Sequence, residues 1–374
     1  MKRFVAIAVS LLLAIAVGAG IWKSNTSQNG QVPSDVSSIL SLPGNNAELK
    51  TVKLLVGSAK LSLLQDAELI TLLQKHGIKL ALLKSSAFEQ DKAQIGELDA
   101  VWPAGANQAA DWGNLLPGSS SHVIMSTPLA LASWRQLMPV FEKNGLAKMS
   151  GANHGDFFLD KALPMMLDGK RWNQLQDNTV FAVNKSFLIN TPDIRKSNSS
   201  SLYIASLAYI RNNNEVPQQN EKAVQLAKEL TPLITRQGFQ EGTLAGPFED
   251  YLGQGMGKAP LVLIYESQFL EAKRNQKLRD NHILLYPQPG LVLKHILIGK
   301  SEAGKQLGKL LAEDAQIQKI IARYGFRTND VGVFAAQAKE LGLDAPELLN
   351  LAEAPNTAIL DSMTQTITQT LENK

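Results

Sequence analysis

Short apolar runs alternate along this chain with stretches whose apolar residues recur at helical spacing. Residues 52–56 form a β-rich run ending at Gly57-Ser58, and residues 61–76 follow with a helical pattern stopped by Gly77. That combination predicts a strand, a tight turn and a helix. Runs at 78–83 and 99–102 predict further strands, the second ended by Pro103 and Gly105. Val123-Ile124-Met125 leads into Ser126-Thr127-Pro128, and residues 129–138 read as a continuing helix or linker. Strands regularly separated by helices point to a parallel sheet covered by helices.

Further along the pattern is less regular. Residues 179–183 read as a strand, and 201–211 as a helix started by the polar cluster Ser197-Asn198-Ser199-Ser200. Residues 221–234, 303–312 and 317–324 carry helical periodicity, 260–265 and 283–286 read as strands, and the remaining C-terminal part reads as largely helical. No internal repeat interrupts this order.

The start of the chain has a different character. Lys2 and Arg3 precede an almost unbroken apolar run over residues 4–22, closed by Lys23. This is an export signal, either a cleaved signal peptide or an uncleaved membrane anchor, expected over residues 1–23. Basic residues held inside would put the rest of the chain outside the membrane. Residues 24–50 are rich in Ser, Asn, Gln, Pro and Gly and read as a flexible tether.

Composition narrows the remaining classes. At 374 residues, with 44% hydrophobic and 19% charged residues, the chain is long enough for two globular units. The formal charge is +3, of which Lys2 and Arg3 supply two, and the cations are scattered among Asp and Glu. No basic face for nucleic acid is implied. The absence of Cys removes disulfides, thiolate nucleophiles, Cys-ligated zinc and a lipid-modified cysteine.

Several landmarks then occur in a telling order. They are Val56-Gly57-Ser58, Asp99-Ala100-Val101-Trp102-Pro103-Ala104 and Ser126-Thr127-Pro128-Leu129-Ala130-Leu131. Later come Thr191-Pro192-Asp193 with Ser197-Asn198-Ser199, Pro260-Leu261-Val262 with Tyr265-Glu266-Ser267-Gln268, then Tyr286-Pro287, His295 and Gly325-Phe326-Arg327. Over residues 53–327 the chain thereby resembles the type II periplasmic solute-binding proteins, especially the molybdate-like bacterial extracellular group. The resemblance implies an α/β fold of two lobes, each a mainly parallel sheet flanked by helices, joined by two crossover segments that permit hinge closure. Residues 51–131 plus 266–374 would form lobe 1, with a helical C-terminal extension, and 132–265 would form lobe 2. A small-molecule or oxyanion ligand and a membrane permease are the implied partners.

In such a fold a ligand sits at the carboxyl ends of strands, where helix N-termini offer unpaired N–H groups and Ser or Thr adds neutral donors. Ser58, Ser126, Thr127, Asn198, Ser199 and Tyr265 are the candidate ligand-binding residues. Four have an ordinary alternative: Ser58, Ser126 and Thr127 as helix caps, Tyr265 as a core or hinge residue. Ser200 stands where the family frequently has Gly, which bears on the shape of the pocket. Glu266 would repel an anion unless paired, and Trp102 and Pro103 could wall the pocket.

Enzyme motifs are incomplete. Gly253, Gly255 and Gly257 are followed by Lys258 and a strand, not by the glycine and helix of a dinucleotide loop, and Lys294 replaces the first glycine that a phosphate loop ending in Gly299-Lys300-Ser301 requires. His76, His122, His154, His282 and His295 lack the short spacings of metal ligands on one helix. No catalytic residue, cofactor or metal site is expected. The functional expectation is capture of a small, anionic or oxygen-rich solute outside the cytoplasmic membrane for an ABC-type transporter. The alternatives are a membrane-tethered sensor or assembly protein on the same fold, and an extracytoplasmic enzyme.

Overall fold

The computed structural model describes residues 49–373 apart from 86–90 and Ala104, with Ser58 described in its backbone only. The leader or anchor over 1–23, and the tether as far as 48, lie outside the described residues. The first strand, β1 (Lys50–Val56), buries Val52, Leu54, Leu55 and Val56. Successive side chains of a strand point to opposite faces. Accordingly Val52, Leu54 and Val56 join one apolar cluster, while Leu55 joins another with Val101, Trp112 and Ile298 on the far side of the sheet.

The helical pattern expected over 61–76 is cut at Asp66. That residue is extended, and its carboxylate accepts from the N–H groups of Glu68 and Leu69 at 2.9 and 3.0 Å, starting a separate helix α1 (Ala67–Lys75). Gly77 ends it in the left-handed region, with φ of 76°. Next come β2 (Ile78–Lys84), β3 (Ala100–Trp102), α2 (Ala106–Leu115) and β4 (Ser120–Trp134).

β4 corrects the reading of 129–138 as a helix or linker. Its fifteen residues form one strand, and from Leu129 to Trp134 every residue is buried. A run with no polar face suits a strand paired on both edges. Its first half pairs antiparallel with β9 (Val292–Gly299), and its second half pairs with β7 (Leu261–Tyr265) on one side and β8 (His282–Gln288) on the other. A single strand therefore runs from lobe 1 into lobe 2.

The rest of lobe 2 adds β5 (Ala147–Met149), β6 (His154–Phe158), α3 (Leu159–Leu167), α4 (Asn198–Arg211), α5 (Asn220–Thr235) and α6 (Glu266–Arg274). The strand expected at 179–183 is absent. Asn178 instead donates to the carbonyls of Trp172 and Phe181 at 2.7 and 3.0 Å and accepts from the Phe181 N–H, winding the chain into an irregular loop. Parallel pairing holds for β2, β1 and β3 and for β6 with β8, and the strands around the crossings add antiparallel pairs.

The second crossing also lies later than expected. β7 and β8 both pair with the second half of β4, so the chain returns to lobe 1 between Gln288 and Val292, not at Glu266. Lobe 1 is completed by β9, α7 (Glu302–Glu313), α8 (Ala315–Arg323) and β10 (Arg327–Thr328), the last paired with Met125 and Ser126 of β4. The C-terminal extension, expected in lobe 1, crosses once more. After α9 (Val331–Glu340), helix α10 (Thr357–Glu372) packs Ile359, Leu360, Met363 and Ile367 into the apolar core of lobe 2, because its apolar stripe lies on α4 and α5.

Candidate functional site

At the carboxyl end of β3 the chain passes Pro103 and begins α2 at Gly105. Facing it is the start of α4, where a Cβ placed on Gly105 would lie 3.7 Å from Asn198 Nδ2. Neither helix has a side-chain cap at its first turn, since the caps are Gly105 and a Ser197 that makes no capping bond. Helix starts from the two lobes thus meet with backbone N–H groups that no side chain of their own has claimed, an arrangement favourable to an electron-rich ligand group.

Between them lies a cavity of about 320 Å³. Its floor is the end of the second crossing and the start of β9, Leu291 to Lys294, and its walls include Asn107, Asn198 and Leu202. The C-terminal segment supplies the remaining wall through Ala352, Glu353, Ala354, Thr357, Leu360 and Asp361. Backbone bonds fix that wall: Gly290 N–H donates to Asn350 at 2.8 Å and Ala352 N–H to Gly290 at 2.7 Å. Side chains tie it to both lobes. Asn107 donates to the Pro355 carbonyl, Thr357 donates to Asp111 of α2 at 2.7 Å, and Thr364 donates to Ser201 of α4 at 2.9 Å.

The six sequence-predicted residues separate within this region. Asn198 lines the cavity. Ser199 and Tyr265 are buried and share a 2.5 Å hydrogen bond, and burial raises the Tyr265 phenol above its ordinary pKa. Thr127 is fully buried on β4 and accepts from the Ser267 N–H at 3.3 Å. Ser126 is half-buried beside it, in register with Lys294 and Arg327. Neither it nor Thr127 caps a helix, because β4 continues through them. Ser58 opens a 3-10 turn, Ser58–Lys60, directly after β1, and its hydroxyl lies outside what is described. Ser200 turns to the Pro192 carbonyl at 2.7 Å, so its hydroxyl is engaged away from the helix start.

Glu266 is buried and fully engaged. Arg327 donates to its two oxygens at 2.7 Å each, and Tyr286 donates to Oε1 at 2.6 Å. No free carboxylate is left there to repel an anion. Burial and then the Glu266 charge push the Tyr286 phenol well above its usual pKa, keeping it a donor.

Two groups escaped sequence reasoning. Lys60 is fully buried, with Nζ 3.3 Å from the Pro103 carbonyl, 3.3 Å from His295 Nδ1 and 5.6 Å above the Trp102 ring. Burial lowers its pKa to about 7, and burial followed by the Lys60 charge drives His295 well below its ordinary value. The buried Trp102 Nε1 and His295 Nε2 have no hydrogen-bond partner among the described residues. A lone lysine near Gly57 carries no sequence signal of this, since lysines are almost always solvated. The second is the C-terminal wall, which no motif announces.

No protein-family model matches the chain, and no curated protein matches it in sequence. Solved structures do. An ABC transporter structure from Clostridium perfringens superposes with a TM-score of 0.51 at 10% identity, covering 85% of this chain and 99% of that one. The sulfate-binding protein SubI of Mycobacterium tuberculosis gives 0.50 at 13% identity over 85% and 98% of the two chains. Iron-bound HitA of Pseudomonas aeruginosa gives 0.50 at 13% identity over 86% and 98%. The chain shares the two-lobed α/β fold of these proteins.

Proposed function

We propose that this chain is an extracytoplasmic solute-binding protein, capturing a small solute between its lobes for handover to an ABC-type permease in the cytoplasmic membrane. The observation that carries this reading is the cavity itself. It is framed by the helix starts of both lobes, floored by the crossing segment between them, and large enough for a small organic molecule. Closure of two lobes on a solute assembles such a site, and opening releases it. The names of the fold neighbours agree with the reading, SubI being a sulfate-binding protein and HitA being iron-bound. The basic and apolar segment at residues 2–23 supports export.

An oxygen-rich or anionic group of the solute would take donors from the starts of α2 and α4 and from Asn198. Thermal melting of the ligand-free protein against oxyanions, organic acids, sugars and amino acids tests the proposal. A saturable stabilisation that Asn198→Ala weakens is the expected result. A folded protein that no solute stabilises would overturn it.

A second reading is favoured by the C-terminal segment. Its bonds to Asn107 and Asp111 on one lobe and Ser201 on the other restrain opening. A membrane-tethered sensor, which needs occupancy and not rapid release, would use such a restraint. An N-terminus beyond residue 23 in the mature protein, free of the membrane, would count against this second reading.

A further inference from the structure

Resting on the solute-binding reading, we infer that the interlobe cavity takes a zwitterionic organic solute with an apolar substituent, of the α-amino acid or betaine kind. The cavity holds about 320 Å³. At roughly 30 Å³ per water molecule this is space for about ten waters, far more than a bare tetrahedral oxyanion fills. Two hydroxyls at the start of α4 are already engaged, Ser199 with Tyr265 and Ser200 with the Pro192 carbonyl.

The lining divides into three chemistries. Leu202, Leu291, Leu293 and Leu360 give it an apolar body, all of them buried. Lys294 stands on the β9 side and Asp361 and Glu353 on the C-terminal side, all three exposed at the cavity and none in an ion pair with a described residue. They line one cavity without pairing with each other. Asp361 instead has the carboxylate of Asp111 as its charged neighbour, and burial followed by that like charge raises its pKa. A cation and two carboxylates, unpaired and lining one apolar space, match a molecule carrying both charges on one carbon frame. Its carboxylate would meet Lys294 and Asn198, and its ammonium Asp361 and Glu353.

The test is titration calorimetry on the full-length chain in detergent, stripped of bound solute, with L-leucine, L-phenylalanine and glycine betaine as zwitterions. N-acetyl-L-leucine removes the positive pole, leucinamide removes the negative one, and sulfate stands for the oxyanions. At least one zwitterion is expected to bind saturably, and, where it is leucine, each single-charge analogue is expected to bind about tenfold more weakly or worse, as loss of a charged hydrogen-bond partner entails. Asp361→Asn should weaken the zwitterion while leaving N-acetyl-leucine unchanged, and Lys294→Gln should weaken it while leaving leucinamide unchanged. Binding of sulfate or of a single-charge analogue in preference to every zwitterion overturns the inference and leaves solute capture standing. A panel flat throughout, with the protein folded, overturns both.

Discussion

Arg327 and Glu266 meet through two parallel 2.7 Å hydrogen bonds, joining β10 of lobe 1 to the first turn of the helix that follows β7. Tyr286 of β8 completes the cluster, and Arg327 also reaches the Pro346 carbonyl at 3.0 Å. The pair thus pins both lobes and the C-terminal segment at one point. Arg327→Met leaves a buried carboxylate uncompensated and should cost about 3–5 kcal/mol of stability, measured by urea unfolding. A double change to Arg327→Met and Glu266→Leu should recover most of that loss. A single-variant loss below about 1 kcal/mol would show that the pair is not a structural pin.

Lys60 should make stability rise with pH. Its folded pKa of about 7 lies below the unfolded value near 10.5. Between those values the unfolded chain holds the proton and the folded chain does not. Raising the pH therefore favours folding across that window, by up to about 1.4 kcal/mol per pH unit. Below pH 7 both states are protonated and the penalty is full and constant. Lys60→Met should flatten this slope and stabilise the protein by about 1–3 kcal/mol at neutral pH. Urea midpoints of both proteins from pH 6 to 10 check the sign, and parallel lines would refute it.

Ser199 and Tyr265 should behave as a coupled unit. Ser199→Ala or Tyr265→Phe alone strands a buried hydroxyl and should cost about 1–3 kcal/mol. The double variant should cost less than the sum, with a coupling of at least about 0.5 kcal/mol in a double-mutant cycle. Strict additivity in chemical denaturation would mean that the 2.5 Å contact contributes nothing.

Ile367 is fully buried where α10 docks on lobe 2. Ile367→Ala should destabilise the protein by about 2–5 kcal/mol, read from the denaturation midpoint. A change within about 0.5 kcal/mol would indicate that the helix is an independent appendage, not part of the lobe 2 core.

The sequence carried the individual strands well where apolar runs were short and bounded, as at β1, β7 and β8. It hid the crossing strand, because the uniformly apolar run Leu129 to Leu131 has no alternation to distinguish strand from helix. Pairing on both edges of β4 comes from residues more than a hundred positions away. The same distance problem applies to the site. Asn198 and Ser199 were legible as polar residues at a helix start and Tyr265 as a hinge residue, yet the bond between Ser199 and Tyr265 spans 66 positions. Lys60 and His295 are 235 apart, and nothing local marks either as buried. The wall over residues 352–361 depends on α10 finding its apolar partner on lobe 2 and on bonds to Gly290 and α2, all distant in sequence.

The chain passes from one lobe to the other along β4, returns before β9, and passes over again ahead of α10. An odd number of passages leaves β1 riding on one lobe and the last helix on the other. A pair of fluorophores at residues 50 and 372 would therefore report the relative motion of the two lobes directly, each label attached to a different moving part.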